Sequence, residues 1–497
     1  MRFVGKTAAL HTLGCKVNEY ETDAMRASLE EAGFTIVDFC QKADVYVINT
    51  CSVTNIADRK SRQMISRARK LSPDAVVVAA GCYVQTALEK TGKSVDADIL
   101  LGSGRKSALV EELERYFLQE HKENAVPEGD PLSCAGDIAQ EQPVRCVSDV
   151  MRERDYDALS LPRIEGHTRA WIKVQDGCNL FCSYCIIPFA RGRIRSRRRE
   201  EVLEEVSNLA SQGIREIVLT GIHLSSYGVD FGGDIRQAYG ERGEKRTWQE
   251  RSRLIDLIEG VCGIDGIERV RLGSLEPTII TEQFVERLRA LPEVCPHFHL
   301  SLQSGCDSVL RRMNRHYTTE EYLHSLELLR NAYDRPAITT DVIVGFPGES
   351  GEEFALTRQF LERAHFYETH LFRYSRRAGT KAAAMPDQIP ESVSAERLAA
   401  LAELDRKMRK MFEQSRDGSE AEVLFEEEVQ IDENGTVRTP NSGSLAVTVQ
   451  DLNLPSTEGE RLYTGYTREY IRVYARSAQD LRGQIRSGTL RGPELIL

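Results

Sequence analysis

No stretch of 18 consecutive apolar residues occurs in this 497-residue chain, so no membrane-spanning helix is expected. The N-terminus, MRFVGKTAALHTLGC, lacks an apolar core long enough for a secretory signal. Its Leu13-Gly14-Cys15 is only faintly like a lipoprotein cleavage site, because Lys6 and His11 interrupt the apolar stretch before it. An excess of positive charge is missing as well. Lys and Arg number 65 against 76 Asp and Glu, and the net −11 excludes a generally basic nucleic-acid coat while leaving room for local basic patches. With 41% hydrophobic and 28% charged residues, the chain is neither disordered, collagen-like nor a small disulfide scaffold. These absences predict a cytoplasmic protein without a membrane partner, and the length implies about three domains.

What is present is cysteine, twelve in all. Without an export signal these are not expected to be structural disulfides. Most cysteines are buried apolar fillers, so spacing must pick out the ligands. Along the chain, residues 1–120 alternate apolar runs (7–13, 44–50, 75–81, 98–101) with helical stretches near 18–32, 55–71 and 105–119. That alternation predicts a doubly wound parallel α/β domain, whose ligands bind at the C-terminal strand ends. Residues 121–165, with Pro127, Pro131, Pro143 and Pro162, read as a linker. Residues 166–395 hold six further strand–helix units, a partial (β/α)6 barrel, with a polar insertion at 229–252. A charged connecting helix covers 396–420. Short alternating segments over 421–497 (AEVLFEEE, GTVRT, LAVTVQ, EYIRVYAR, GQIRS) predict a small β-barrel.

The sharpest motif is Cys178-Asn-Leu-Phe-Cys182-Ser-Tyr-Cys185, three thiols in one loop after the first barrel strand. Three ligands suit an iron–sulfur cubane with one iron left open for a substrate; a zinc knuckle is the alternative, but no fourth Cys or His follows closely. Cys15, Cys51 and Cys82 each follow a strand end in the N-terminal domain, where a parallel sheet would bring them to one edge. Spacing alone leaves a second cluster and three unrelated cysteines evenly matched. Cys40, Cys134, Cys146, Cys262, Cys295 and Cys306 have no assigned role.

C-x3-C-x2-C with an aromatic before the last cysteine resembles the signature of radical S-adenosylmethionine (SAM) enzymes. Together with the N-terminal cysteine segments and the terminal β domain, it is similar to the methylthiotransferase family over nearly the whole chain. HTLGCKVNEYET, QDGCNLFCSYCIIPFARGRIRSR and GIHLSSYG resemble the branch that methylthiolates C2 of N6-threonylcarbamoyladenosine at position 37 of tRNA. The resemblance implies two 4Fe–4S clusters, an auxiliary one on Cys15, Cys51 and Cys82 and a SAM-binding one on Cys178, Cys182 and Cys185. It also implies SAM as methyl donor and radical source, a C-terminal TRAM domain, and an electron donor such as flavodoxin or ferredoxin; the sulfur donor stays unknown. The alternatives are a sibling acting on isopentenyladenosine in tRNA or a ribosomal-protein aspartate, a radical SAM enzyme of another reaction, and a non-catalytic metal-bearing RNA-binding protein.

Candidate SAM contacts sit at predicted strand ends: Gly221, where the carboxylate of a Gly-Gly-Glu type motif is missing and backbone is left to make the contact, then Glu276, Gln303, Arg315 and Gly345. Tyr184 could pack on the adenine. Each equally fits a structural turn or a core aromatic; their shared barrel face favours function. His297 and His299 read as buried and hydrogen-bonded. Basic patches at 55–70, 191–199 and 461–497 carry net +5, +6 and +4. For tRNA the candidates are Arg191, Arg193, Arg195, Arg197 and Arg198 on phosphates, with Arg468 and Arg472 beside Tyr463, Tyr466 and Tyr470, which could stack on anticodon-loop bases.

Overall fold

The computed structural model describes residues 3–88, 94–123, 143–162, 168–232, 248–431, 436–439, 443–448 and 459–497. Cys134, Pro127, Pro131 and most of the 229–252 insertion lie outside the described residues. The chain divides into two compact units. The first comprises Met1–Arg163, Gln175–Arg197 and Ser375–Ala384; the second comprises Ile164–Val174, Arg198–Tyr374 and Met385–Leu497.

In the first unit, strands β1 (Thr7–Thr12), β2 (Thr35–Val37), β3 (Val45–Thr50), β4 (Val76–Gly81), β5 (Ile99–Leu101) and β6 (Val144–Cys146) form one parallel sheet in the order β2-β1-β3-β4-β5-β6. β3 (VYVINT) and β4 (VVVAAG) are buried at every residue, as continuous apolar strands covered on both faces must be. Helices α1 (Lys16–Ala32), α2 (Asn55–Leu71), α3 (Cys82–Thr86) and α4 (Leu109–Glu123) connect the strands. Two apolar clusters form the core, one holding Tyr46, Ile48, Val77 and Tyr83, the other Val45, Val47, Val78 and Leu101. The linker reading fails at Val144–Cys146. Although proline-rich sequence surrounds it, this segment pairs with β5 as the sheet's sixth strand.

Strand β7 (Arg169–Asp176) delivers its last two residues, Gln175 and Asp176, to the first unit. There they pair antiparallel with β8 (Arg195–Ser196). The Cys178 loop and helix α5 (Ile187–Arg191) lie between them, and α5 packs on α3.

The second unit holds the partial barrel. β7, β9 (Glu216–Gly221) and β10 (Arg269–Leu272) lie side by side, as do β11 (His297–His299), β12 (Ala337–Val344) and β13 (Glu368–Arg373), and the parallel bridges Val270–Val294 and Leu275–Leu300 join the two sets. Helix α6 (Arg199–Ser211) and helices at Leu254–Cys262, Glu282–Arg289, Thr319–Ala332 and Gly351–Ala364 alternate with them. The connecting helix starts earlier than expected and runs Glu391–Arg416.

The terminal barrel is closed, but from partly different strands than expected. It consists of β14 (Glu420–Glu428), β18 (Arg461–Thr467), β19 (Arg472–Ser477), β21 (Glu494–Ile496) and β20 (Ile485–Arg491). The expected GTVRT and LAVTVQ strands instead form a separate small sheet, β15 (Gln430–Ile431), β16 (Thr436–Thr439) and β17 (Gly443–Thr448). The barrel core is filled by Val423, Phe425, Tyr463, Val473 and Leu490.

Candidate functional site

Cys15 follows β1 and starts α1, Cys51 follows β3, and Cys82 opens α3 directly after β4. β1, β3 and β4 are neighbours in the parallel sheet, so all three cysteines stand at adjacent carboxyl ends. Cys51 and Cys82 are buried and Cys15 reaches solvent. Burial first, then the Cys82 and Cys15 sulfurs, push the Cys51 thiol up to about 11. Cys15 and Cys82 are thus both near enough to bear on Cys51. Cys51 also touches the Cys15 loop directly: a Cβ on Gly14, whose φ is +108°, would stand 2.8 Å from Cys51 Sγ.

Asn18, one turn into α1, ties these strand ends together. Its Nδ2 donates to the Leu13 carbonyl at 2.6 Å and to the Thr50 carbonyl at 3.1 Å. Its Oδ1 accepts from Arg191 Nη2 at 2.6 Å. Arg191, fully buried on α5, also holds Glu21 through two bonds of 2.8 and 3.0 Å and Asp176 at 3.1 Å. Lys106, equally buried, pairs with Glu21 from the other side. Burial works against the Arg191 charge, yet Asp176, the Cys82 sulfur and Glu21 hold its pKa well above the usual guanidinium value. A single cation thus links the helix that follows one cysteine trio to the helix begun by Cys15.

The Cys178–Cys185 loop is held by its own backbone. The Cys178 amide donates to the Gly192 carbonyl at 3.1 Å, the Cys185 amide to the Cys182 carbonyl at 3.0 Å, and the Ala382 amide to the Ser183 carbonyl at 2.8 Å. Phe181 takes a left-handed φ of +50°, and its ring packs against Phe189 and under the Arg193 guanidinium at 4.6 Å. All three loop cysteines and Tyr184 remain partly accessible. Two trios of soft thiols on braced backbones, one reaching solvent through Cys15 and the other through all three loop cysteines, are the ligand type that iron–sulfur clusters take.

In the second unit, Glu276 and Arg315 meet directly at 2.7 Å, and His223 Nε2 lies 3.7 Å from Glu276. Burial opposes the Glu276 charge, but Arg315 and His223 hold its carboxyl below the usual range. Gln303 has a φ of +71°, and its backbone joins β12 through Asp341 and Ile343. Gly221 closes β9. At Gly345, whose φ is +73°, a Cβ would collide with the Ser394 side chain of the same unit. His297 and His299 are buried; His299 Nδ1 lies 3.0 Å from Thr339 Oγ1, and its Nε2 3.3 Å from Asp341.

The arginine run needs correction. Arg191, Arg195 and Arg197 are buried and spent on internal partners: Arg191 as above, Arg195 on Glu153, Asp176 and the Arg191 carbonyl, Arg197 on the Tyr20 hydroxyl. They cannot hold tRNA phosphates; of the five candidates Arg193 and Arg198 keep surface exposure, as does the neighbouring Arg199, which bonds the Asp256 carbonyl. Arg468 is committed to the Pro292 and Val294 carbonyls, and Arg472 lies over the Tyr466 ring at 5.0 Å. Tyr463 is a core residue of the terminal barrel. Tyr466 and Tyr470 stack on each other at 4.5 Å, with Arg169 about 5 Å from both rings. Sequence reasoning missed Asn18, Glu21, Lys106 and Asp176; the first two lie three and six residues after Cys15 in the phrase HTLGCKVNEYET.

Residues 172–361 match the Radical SAM superfamily, and residues 7–102 match a family described as uncharacterized protein family UPF0004. The threonylcarbamoyladenosine tRNA methylthiotransferase MtaB of Bacillus subtilis is 37% identical over 479 residues, covering 96% of this chain and 92% of that protein. The protein of the same name from Aquifex aeolicus is 37% identical over 84% of this chain and 93% of its own. The tRNA-2-methylthio-N(6)-dimethylallyladenosine synthase of Acetivibrio thermocellus is 33% identical over 85% of this chain and 81% of its own. Among solved structures, the radical SAM methyltransferase TsrM of Kitasatospora setae shares the fold, with a TM-score of 0.50 at 17% identity over 76% of this chain and 77% of that one.

Proposed function

The chain belongs to the radical SAM tRNA methylthiotransferases, and on that premise we propose that it adds a methylthio group to C2 of N6-threonylcarbamoyladenosine at position 37 of tRNA. The match to relatives of that name, over 96% of the chain for one and 84% for another, supports this nucleoside. The observation that carries the chemistry is the placement of two cysteine trios in one compact unit, one of them at adjacent carboxyl ends of its parallel sheet. Cys178, Cys182 and Cys185 would hold the 4Fe–4S cluster that binds SAM. Cys15, Cys51 and Cys82 would hold the auxiliary one. With both in place, the cluster on Cys178, Cys182 and Cys185 would supply reductive cleavage of SAM, and so a radical able to take the non-acidic C2 hydrogen, and the auxiliary cluster would carry the sulfur to be transferred.

The rest is done by the chain's own groups. Asn18 and Arg191 hold the two trios at a set separation, because one side chain bonds the other and each grips the backbone or helix of a different trio. Glu276, Arg315, Gly221, Gln303 and Gly345, with Tyr184, are the proposed SAM contacts, and Arg315 would trade Glu276 for the SAM carboxylate. Arg193 and Arg198 remain candidates for tRNA phosphate. An electron donor of flavodoxin or ferredoxin type would reduce the site. A tRNA substrate supports a cytoplasmic place of work, and no helix among the described residues is long and apolar enough to cross a membrane.

Nucleoside analysis of tRNA from a deletion strain tests the reading. Loss of 2-methylthio-N6-threonylcarbamoyladenosine, restored by the wild-type gene and not by Cys51→Ala, is the expected outcome. Loss of the isopentenyl-type nucleoside instead would assign the chain to the sibling activity. In the purified protein, Cys51→Ala should lower iron from about eight to about four per chain while SAM cleavage persists.

A further inference from the structure

Helix α2 has two faces of opposite character. The inner face carries the buried residues Ser61, Ile65 and Ala68. Ser61 Oγ donates to the Cys51 carbonyl at 3.1 Å and accepts from the Cys51 amide at 3.3 Å, so the helix is fastened to a cysteine of the auxiliary trio. The outer face carries Arg59, Lys60, Arg62, Arg67 and Lys70, all exposed. The acidic residue of the helix, Asp58, is already neutralised by Arg377 at 2.8 Å, and Arg69 is paired with Asp98. Among the described residues the five outer cations form no ion pair.

Their spacing builds a ridge. Arg59, Arg62, Gln63, Ser66, Arg67 and Lys70 line one shallow depression, which follows because offsets of three, four, seven, eight and eleven fall on one helical face. Eleven steps of helix extend about 17 Å. Arg62 also lies over the ring of Tyr83, the residue after Cys82, at 5.8 Å. The ridge is one helix diameter, about 10 Å, from the Cys51 backbone that Ser61 grips. A line of uncompensated cations on a net-acidic chain, running past the end of the sheet where the sulfur would be delivered, matches a polyanion whose one reacting base must reach that end.

We propose that the outer face of α2 binds the sugar-phosphate backbone of the tRNA beside the nucleotide being modified. This rests on the tRNA-modifying reading and adds a contact surface in the N-terminal domain to it. Three or four phosphate contacts from such a ridge act without sequence preference and position the substrate through its backbone.

The test uses reconstituted full-length enzyme carrying Arg59→Gln, Arg62→Gln, Arg67→Gln and Lys70→Gln together, with full-length substrate tRNA titrated between 50 and 200 mM salt, values at which such contacts are strongly attenuated. The ridge reading expects at least about a tenfold loss of affinity. It also expects the slope of log affinity against log salt to flatten by about 3. Iron content, melting temperature and dithionite-driven SAM cleavage should stay at wild-type values. A milder variant, Arg59→Gln with Lys70→Gln, should give about half the change in slope, which keeps the test open if the fourfold variant folds poorly. Unchanged affinity and slope overturn the proposal. If turnover then falls only when an acidic electron-transfer protein replaces dithionite, the ridge docks that protein; if nothing falls, it is a solvated helix face. Wild-type enzyme that binds tRNA with a steep salt slope but methylthiolates no adenosine would refute the functional reading and leave the ridge standing.

Discussion

Arg191→Met removes the one cation shared by Glu21 and Asp176 and leaves most of the side-chain volume in place. In the wild type, Arg191 makes five hydrogen bonds of 2.6 to 3.2 Å to Glu21, Asp176 and Asn18 with no solvent exposure. After substitution, Glu21 still has Lys106 as a cationic partner, and Asp176 still has Arg195, at 3.9 Å, but both lose the bonds of the guanidinium. Breaking a buried ion pair by deleting one partner costs about 3–5 kcal/mol, since the remaining charge stays out of water without compensation. For a folding unit of about 200 residues each kcal/mol moves the melting temperature by about 2–4 °C, so a fall of roughly 6–20 °C is expected. Scanning calorimetry on anaerobically prepared, iron-free protein reads it without interference from cluster loss. Arg191→Lys, which retains charge but not the forked geometry, should lose less. Adding Glu21→Gln to Arg191→Met should recover part of the loss, because one of the two stranded carboxylates is then neutral. A melting point within 2 °C of wild type for Arg191→Met, or strict additivity in the double variant, would sink the argument that the charges are coupled.

The second unit carries a pH signature. Glu216 is buried; that alone would raise its pKa, but Arg271, Arg169 and Arg269 bring it down to about 2. Because the folded-state value lies below the unfolded one, the stabilisation, on the order of 3 kcal/mol, is present above pH about 4.5 and is lost as pH falls toward 2. Calorimetry should show a steep acid limb that Glu216→Gln flattens, at the cost of lower stability at neutral pH. In the first unit, Gly14→Ala should halve the iron content and leave SAM cleavage intact, because φ +108° and the approach to Cys51 both exclude a Cβ; full iron content in that variant would count against the Gly14–Cys51 packing.

Strands such as VYVINT and VVVAAG were legible because parallel strands covered on both faces must be continuously apolar, and the six cysteines proposed as ligands because each stands in a recognisable loop or strand-end context. Val144–Cys146 was not, since three residues carry too little periodicity to be seen inside a proline-rich stretch. The arginine run at 191–199 misled for a different reason. A count of local charge registers six cations and no acid, but Glu21, Asp176 and Glu153 reach them only through the fold, and the network that braces the two trios is therefore invisible along the chain. Tyr463 in the barrel strand Arg461–Thr467 misled similarly: an arginine-flanked aromatic looks like an RNA-facing group until its ring is seen to fill the barrel core.

The first unit is assembled from three separated stretches of chain, the last of which ends at Ala384. A ribosome that has just released residue 163 must therefore synthesise more than two hundred further residues before this unit has all its parts. At about 5–20 residues per second that interval is roughly ten to forty seconds. For roughly its first one to six seconds Cys15, Cys51 and Cys82 exist without Arg191, and for all of it without Ala382, whose amide holds the Cys178–Cys185 loop. Iron loading of the two trios is thus separated in time from the synthesis of the first, and a folding helper or metal-delivery factor acting on this protein has a nascent chain with three unprotected thiols to meet.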